Sequence, residues 1–130
     1  MGEPAMAAIL VVDDDVLVAT TIAIALEDAG HSVVRAVDGV EAYRLFRGRS
    51  FDLVIADFRM PFADGASLVD MIRNREYRSR TPVILMSGAV PQQAAVDNLD
   101  VQDFLAKPFD DARLTAAVDK VLAPRQATAN

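Results

Sequence analysis

Ile9-Leu10-Val11-Val12-Asp13-Asp14-Asp15 is an unbroken apolar run that stops on three consecutive acids. Four adjacent branched or long aliphatic residues, with no polar alternation, suit a strand buried on both faces. The same shape recurs along the chain. Phe51–Ala56 runs into Asp57, Pro82–Met86 into Ser87, and Val101–Ala106 into Lys107, while Ser32–Ala36 forms a fifth run of similar composition. Between these runs the apolar residues switch to helical spacing: Val18, Ile22, Leu26 and Ala29; Ala42, Leu45 and Phe46; Leu68, Met71 and Ile72; and, after the fifth run, Leu114, Ala117, Val118 and Val121. A short, alanine-rich helix is expected between Pro91 and Leu99. Asp38 with Glu41 reads as a capping pair opening the second helix, and Gly30 and Gly48 stand where C-terminal caps belong. Strands that alternate strictly with helices predict an α/β domain with a parallel sheet covered on both faces.

Bulk properties bound the function. The chain has 130 residues, 52% hydrophobic, which is enough for one domain with a real core, expected over residues 7–123 with flexible termini at 1–6 and 124–130. The absence of cysteine removes disulfides and thiolate metal sites. No apolar run approaches the roughly 20 residues of a membrane span, and residues 1–8 lack the pattern of a secretory signal, so a soluble cytoplasmic protein is expected. A formal net charge of −6 disfavours direct nucleic-acid binding. Arg73, Arg75, Arg78 and Arg80 form a local basic run, read as a solvated loop because Asn74, Glu76 and Ser79 interrupt it.

In a parallel sheet every strand ends on one edge, where ligands bind beside a topological switch point. The polar residues that follow four of the apolar runs would therefore converge: Asp13, Asp14 and Asp15, then Asp57, then Ser87, then Lys107. Taken singly each has an ordinary role. One acid suffices to cap a helix, Asp57 and Ser87 could open turns, and Lys107 could be a surface charge. Their joint position at one edge is what calls for chemistry. Two like charges about 4 Å apart repel by about 4 kcal/mol at an effective dielectric of about 20. Three carboxylates and one ammonium leave a formal charge of −2, which one hard divalent cation would neutralise, and all-oxygen ligation suits Mg²⁺. A carboxylate beside a dication and an ammonium is equipped to receive a phosphoryl group. Loss of Asp13 or Asp14 is expected to stabilise the metal-free protein by removing repulsion.

Together with Asp57-Phe58-Arg59-Met60-Pro61-Phe62-Ala63-Asp64-Gly65, Ser87-Gly88 and Lys107-Pro108-Phe109, the opening stretch resembles the receiver domains of bacterial two-component response regulators. The resemblance covers nearly the whole chain, with its four motifs in order at strand ends. It implies a flavodoxin-like, doubly wound (βα)5 fold with a five-stranded parallel sheet in the order 2-1-3-4-5. It implies Asp57 as phosphoacceptor, with Asp14, the Asp57 carboxylate and the backbone carbonyl of Arg59 as ligands to Mg²⁺ or Mn²⁺, and Asp13 acting through a water. Ser87 and Lys107 would each bind a phosphoryl oxygen. Ser87 and Phe104 match the family's switch positions, and Pro108 matches a position whose preceding peptide bond is usually cis. The implied donor is the phosphohistidine of a sensor histidine kinase or a histidine phosphotransfer domain. The implied protein is a phosphorelay switch, monomeric or weakly dimeric, that catalyses its own phosphorylation and dephosphorylation and is no turnover enzyme. Ser87 stands where threonine is commoner, and the Ser87–Lys107 segment is about two residues shorter than usual.

Three other readings fit less well. A dehalogenase-like phosphatase requires a second Asp two residues after the nucleophile, where this chain has Arg59. A flavodoxin-like cofactor binder needs hydroxyls and glycines after the first strand, where Asp13–Asp15 would repel phosphate. A pseudo-receiver acting only as an interaction module usually loses pocket residues that this chain retains.

Overall fold

Nine elements follow one another in a computed structural model that describes residues 7–60, 64–73, 80–88 and 99–128. They are β1 (Ala8–Val12), α1 (Val16–Asp28), β2 (Ser32–Ala36), α2 (Gly39–Gly48), β3 (Leu53–Asp57), α3 (Gly65–Arg73), β4 (Val83–Ser87), β5 (Asp103–Ala106) and α4 (Asp111–Thr128). All four strand pairings are parallel, and the order is β2-β1-β3-β4-β5. The expected sheet is therefore present in its expected order. The short helix expected between Pro91 and Leu99 falls outside the described residues, as do Arg75, Arg78 and termini 1–6 and 129–130.

Strand pleating explains why unbroken apolar runs were needed. Successive side chains point to opposite faces. Ile9, Val11, Leu53, Ile55, Ile84 and Met86 join α1 and α4 in one buried cluster. Leu10, Val12, Val54, Ala56, Val83 and Leu85 join α2 and α3 in the other. The central strands thus bury both faces, and each fully buried Leu or Ile contributes about 1.5–3 kcal/mol.

Local signals set the ends of the elements. Asp15 caps α1, accepting from the amides of Leu17 (3.0 Å) and Val18 (3.3 Å). Gly30, after α1, takes the left-handed conformation at φ +97°. Asp38 accepts from the Glu41 amide at 2.8 Å, and the Glu41 carboxylate returns to the amide of Val37 at 2.8 Å. Asp64 caps α3 and Asp110 caps α4 in the same way.

Some boundaries differ from expectation. Gly48 is the last residue of α2, and Arg49 is its cap in an extended conformation. β3 starts at Leu53 because Phe51 packs its ring against Phe46 (6.4 Å between centroids), and Asp52 binds the Ala8 amide through its carboxylate at 2.8 Å. The last helix continues beyond Ala123 to Thr128, through a stretch containing the helix formers Arg125, Gln126 and Ala127.

Arg73 corrects the reading of the basic run as a solvated loop. Its side chain is only 13% exposed and ion-pairs with Asp100 at 3.2 Å. It also donates to the carbonyls of Thr81 at 2.8 Å and Asp100 at 3.0 Å. A guanidinium on the last turn of α3 reaches the chain entering β4 and β5, and there it donates to main-chain carbonyls.

Candidate functional site

The sheet order makes β1 and β3 neighbours at the point where the chain reverses its direction of winding, which is where an α/β sheet opens a crevice. Asp13, Asp14 and Asp57 meet there. One carboxylate oxygen from each lies within 4.8 Å of the others. β3 extends one residue further than expected, so Asp57 is its last residue, paired in register with Met86 of β4. Ser87 ends β4 and is buried, and its carbonyl accepts from the Lys107 amide at 2.7 Å.

Lys107 follows β5, two strands away from β3, and its side chain crosses the end of β4 to reach the acids. Its ammonium sits 2.8 Å from Oδ2 of Asp13 and 3.4 Å from Oδ2 of Asp57. Asp13 is 1% exposed and uses its other oxygen to accept from the Asp15 amide at 2.9 Å. Both of its oxygens thus already serve protein donors, consistent with action on a cation at one remove. Asp14 is exposed. Of the three consecutive acids, Asp15 is the helix cap, leaving Asp13 and Asp14 to the pocket.

Burial pushes the Asp57 carboxyl above its ordinary range. Lys107 opposes this, Asp13 adds to it, and the hydrogen bond from the Arg59 amide opposes it again. Lys107 is shared, and the nearer acid is Asp13, so the ion pair does not bring Asp57 down. Burial would lower Lys107, but its bonds and charge pairing with Asp13 and Asp57 together raise it. The pocket is short of positive charge. Its donor set, all oxygen and net −2 with Lys107 included, fits a hard divalent cation.

The β3–α3 connection is held by backbone contacts. The Phe58 amide donates to the Met86 carbonyl at 2.7 Å, the Gly65 amide to the Phe58 carbonyl at 3.1 Å, and the Arg59 amide approaches Oδ1 of Asp57 at 3.5 Å. Phe104, half-buried on β5, meets Phe58 edge to face, with 6.3 Å between centroids and 61° between planes. The Lys107–Pro108 peptide bond is cis. Phe58 and Gly65 are the residues near the site to which the sequence reading assigned no role. Their places next to Asp57 and at the head of α3 were visible, but close approach between elements leaves no local pattern.

Residues 9–119 match the model of the response regulator receiver domain family. The transcriptional regulatory protein FixJ of Bradyrhizobium diazoefficiens is 34% identical over 116 residues, which is 88% of this chain and 56% of FixJ. The chain spans about half the length of the first curated relatives it matches. Among solved structures, the Vibrio cholerae chemotaxis response regulator CheY4 is 28% identical with a TM-score of 0.85, over 91% of this chain and 100% of that one. The receiver domain of the Pseudomonas aeruginosa sensor histidine kinase PA1611, solved with a magnesium ion coordinated in its active site cleft, is 30% identical. Its TM-score is 0.83, over 92% of this chain and 99% of that one.

Proposed function

The chain belongs to the response regulator receiver domain family, and from that membership we propose that it accepts a phosphoryl group from a phosphohistidine onto Asp57. The observation that carries this reading is the shared Lys107. One ammonium bridges a buried acid and a strand-end acid beside a third carboxylate, a geometry that holds a nucleophilic oxygen next to fixed positive charge.

The step exchanges one bond for another. An Asp57 oxygen attacks phosphorus, the bond from phosphorus to the donor's imidazole nitrogen breaks, and the imidazole keeps the electron pair. Asp57 becomes an acyl phosphate. Lys107 pairs with one phosphoryl oxygen and the Ser87 hydroxyl donates to another. Asp14, Asp57 and the Arg59 carbonyl would hold Mg²⁺ or Mn²⁺, with Asp13 behind a water. When bound, the cation would supply charge neutralisation for a phosphoryl group moving from nitrogen to oxygen. The same pocket admits water for slow hydrolysis of the acyl phosphate, so the domain promotes its own phosphorylation and dephosphorylation.

A protein donor fits better than a small metabolite. Val16 (62% exposed) and Leu17 (78% exposed) stand beside the acids at the head of α1, and they offer apolar surface next to the polar site for a protein partner to cover. A sensor histidine kinase or phosphotransfer domain is the partner this reading requires, in the cytoplasm. Among the described residues no helix is long and apolar enough to cross a membrane.

Intact mass after acetyl phosphate treatment tests the reading. We expect one added phosphoryl group on the parent with Mg²⁺, and none with EDTA or on Asp57→Asn. Equal labelling of Asp57→Asn would place the acceptor elsewhere.

A further inference from the structure

At the head of α3, Gly65 presses directly on the backbone of the residue proposed to carry the phosphoryl group. A β-carbon at Gly65 would lie 2.7 Å from the carbonyl oxygen of Asp57, 3.0 Å from Cα of Phe58 and 3.0 Å from Cδ2 of Leu85. Real β-carbons essentially never approach another heavy atom as closely as the first of these. Two of the three neighbours are main-chain atoms, which cannot swing aside as the end of a side chain can.

Nor can the peptide between Asp57 and Phe58 move freely. Its amide is bonded to Met86 on β4 at 2.7 Å, and the next carbonyl, that of Phe58, accepts from Gly65 itself at 3.1 Å. Asp64 anchors the first turn of α3 through the amides of Ser67 and Leu68. Gly65 is thus clamped between a capped helix and the end of β3.

We propose that Gly65 is a positioning residue, setting where the Asp57 carboxylate and the Arg59 carbonyl stand relative to Asp13 and Asp14. This rests on the reading of the pocket as a cation-assisted phosphoryl acceptor. Any side chain at position 65 drives the Asp57–Phe58 peptide away from α3. The Asp57 carboxylate and the Arg59 amide near it then shift, while Asp13, Asp14 and Lys107 stay on their own strand ends. The tripod of carboxylates spreads, and cation affinity falls before the fold is lost.

The test compares the parent, Gly65→Ala, and Leu68→Ala, a buried position on α3 that loses packing without meeting the Asp57 backbone. In metal-free protein, the Asp57 side-chain carboxyl carbon and the Arg59 amide should shift in the NMR spectrum of Gly65→Ala and stay in place in Leu68→Ala. Mg²⁺ affinity of Gly65→Ala should fall about 10- to 100-fold, as when a neighbour orienting a metal ligand is lost, with a smaller loss in Leu68→Ala. Parental shifts and affinity in Gly65→Ala would overturn the proposal.

A second variant, Leu85→Val/Gly65→Ala, removes the side-chain obstacle and keeps the main-chain one. It should fold and still bind Mg²⁺ weakly, and recovery of parental affinity would overturn the main-chain account. If neither alanine variant folds, Gly65 is a folding residue and the positioning role is refuted. A parent that binds no Mg²⁺ and takes no phosphoryl group would instead refute the functional reading beneath it.

Discussion

Lys107 is hydrogen-bonded to Asp13 at 2.8 Å, and this bond joins two residues 94 positions apart in the chain. It draws the ammonium toward the buried acid and leaves Asp57 with the longer contact. Replacing Asp13 by Asn should remove one repulsion from Asp57 and leave Lys107 with Asp57 as its carboxylate partner. The Asp57 carboxyl should then titrate lower than in the parent, as read by NMR of its carboxyl carbon in metal-free protein. A midpoint equal to or above the parental one would contradict the geometry. The sign for stability follows. An acid whose folded value lies above its ordinary 3.8 weighs against the fold while ionised, and that cost fades as pH falls from the folded value toward 3.8. Asp13→Asn should flatten this gain on acidification.

Asp13 and Asp14 part company in the structure, although repulsion alone predicts that loss of either stabilises the metal-free protein. Asp14 is exposed and, among the described residues, accepts no hydrogen bond from the fold's frame, so Asp14→Ala should raise the melting temperature in EDTA. Asp13 is buried and serves both Lys107 and the Asp15 amide. Asp13→Ala leaves the Asp15 amide without its acceptor and Lys107 with only the longer contact to Asp57, at a cost of about 1–3 kcal/mol, and should lower it. Millimolar Mg²⁺ should raise the melting temperature of the parent by linkage and leave Asp14→Ala nearly unmoved. Thermal scans with EDTA or Mg²⁺ decide, and stabilisation by Asp13→Ala would show its bonds to be weaker than the repulsion.

Arg73 should behave as a buried clamp. Arg73→Ala abandons the carbonyls of Thr81 and Asp100 and should cost about 1–3 kcal/mol. Arg73→Lys should recover little, because a point charge cannot reproduce the planar fork that reaches several acceptors at once. Urea denaturation separates the cases, and full recovery by lysine would reduce the clamp to simple charge pairing.

Phe58 and Phe104 tie the residue after Asp57 to the middle of β5. Occupancy of the pocket by beryllofluoride and Mg²⁺ is expected to turn the Ser87 hydroxyl toward the ligand and shift Phe104, changing amide exchange across β5. Phe58→Leu removes an edge contact worth about 0.5–1.5 kcal/mol beyond its buried area, so the amplitude of that change should differ at equal occupancy. An occupied pocket with unaltered exchange over Asp103–Ala106 would mean that output leaves by another face.

The sheet and the converging acids were legible because strands buried on both faces must be apolar throughout, so the first ionisable residue after each marks the sheet edge. Asp13 and Asp57 needed no more than that, whereas Lys107 follows an edge strand that opens on Asp103 and is only partly buried. Arg73 was misread because a clamp and a solvated loop share one local composition, and Thr81 and Asp100 are neighbours only in three dimensions. The start of β3 was misplaced because Phe51 is as apolar as a strand residue yet spends its ring on Phe46. Gly65 was quoted within a motif, but its closeness to the Asp57 carbonyl exists only after α3 has docked.

The bridge that Lys107 makes across the end of β4 has a consequence for synthesis. A ribosome delivers Asp13 and Asp57 long before Lys107, so a growing chain carries the acids without the cation that completes their pocket. The pocket is complete only once the fifth strand has been made, and a chain interrupted before it lacks the ammonium that Asp13 and Asp57 share.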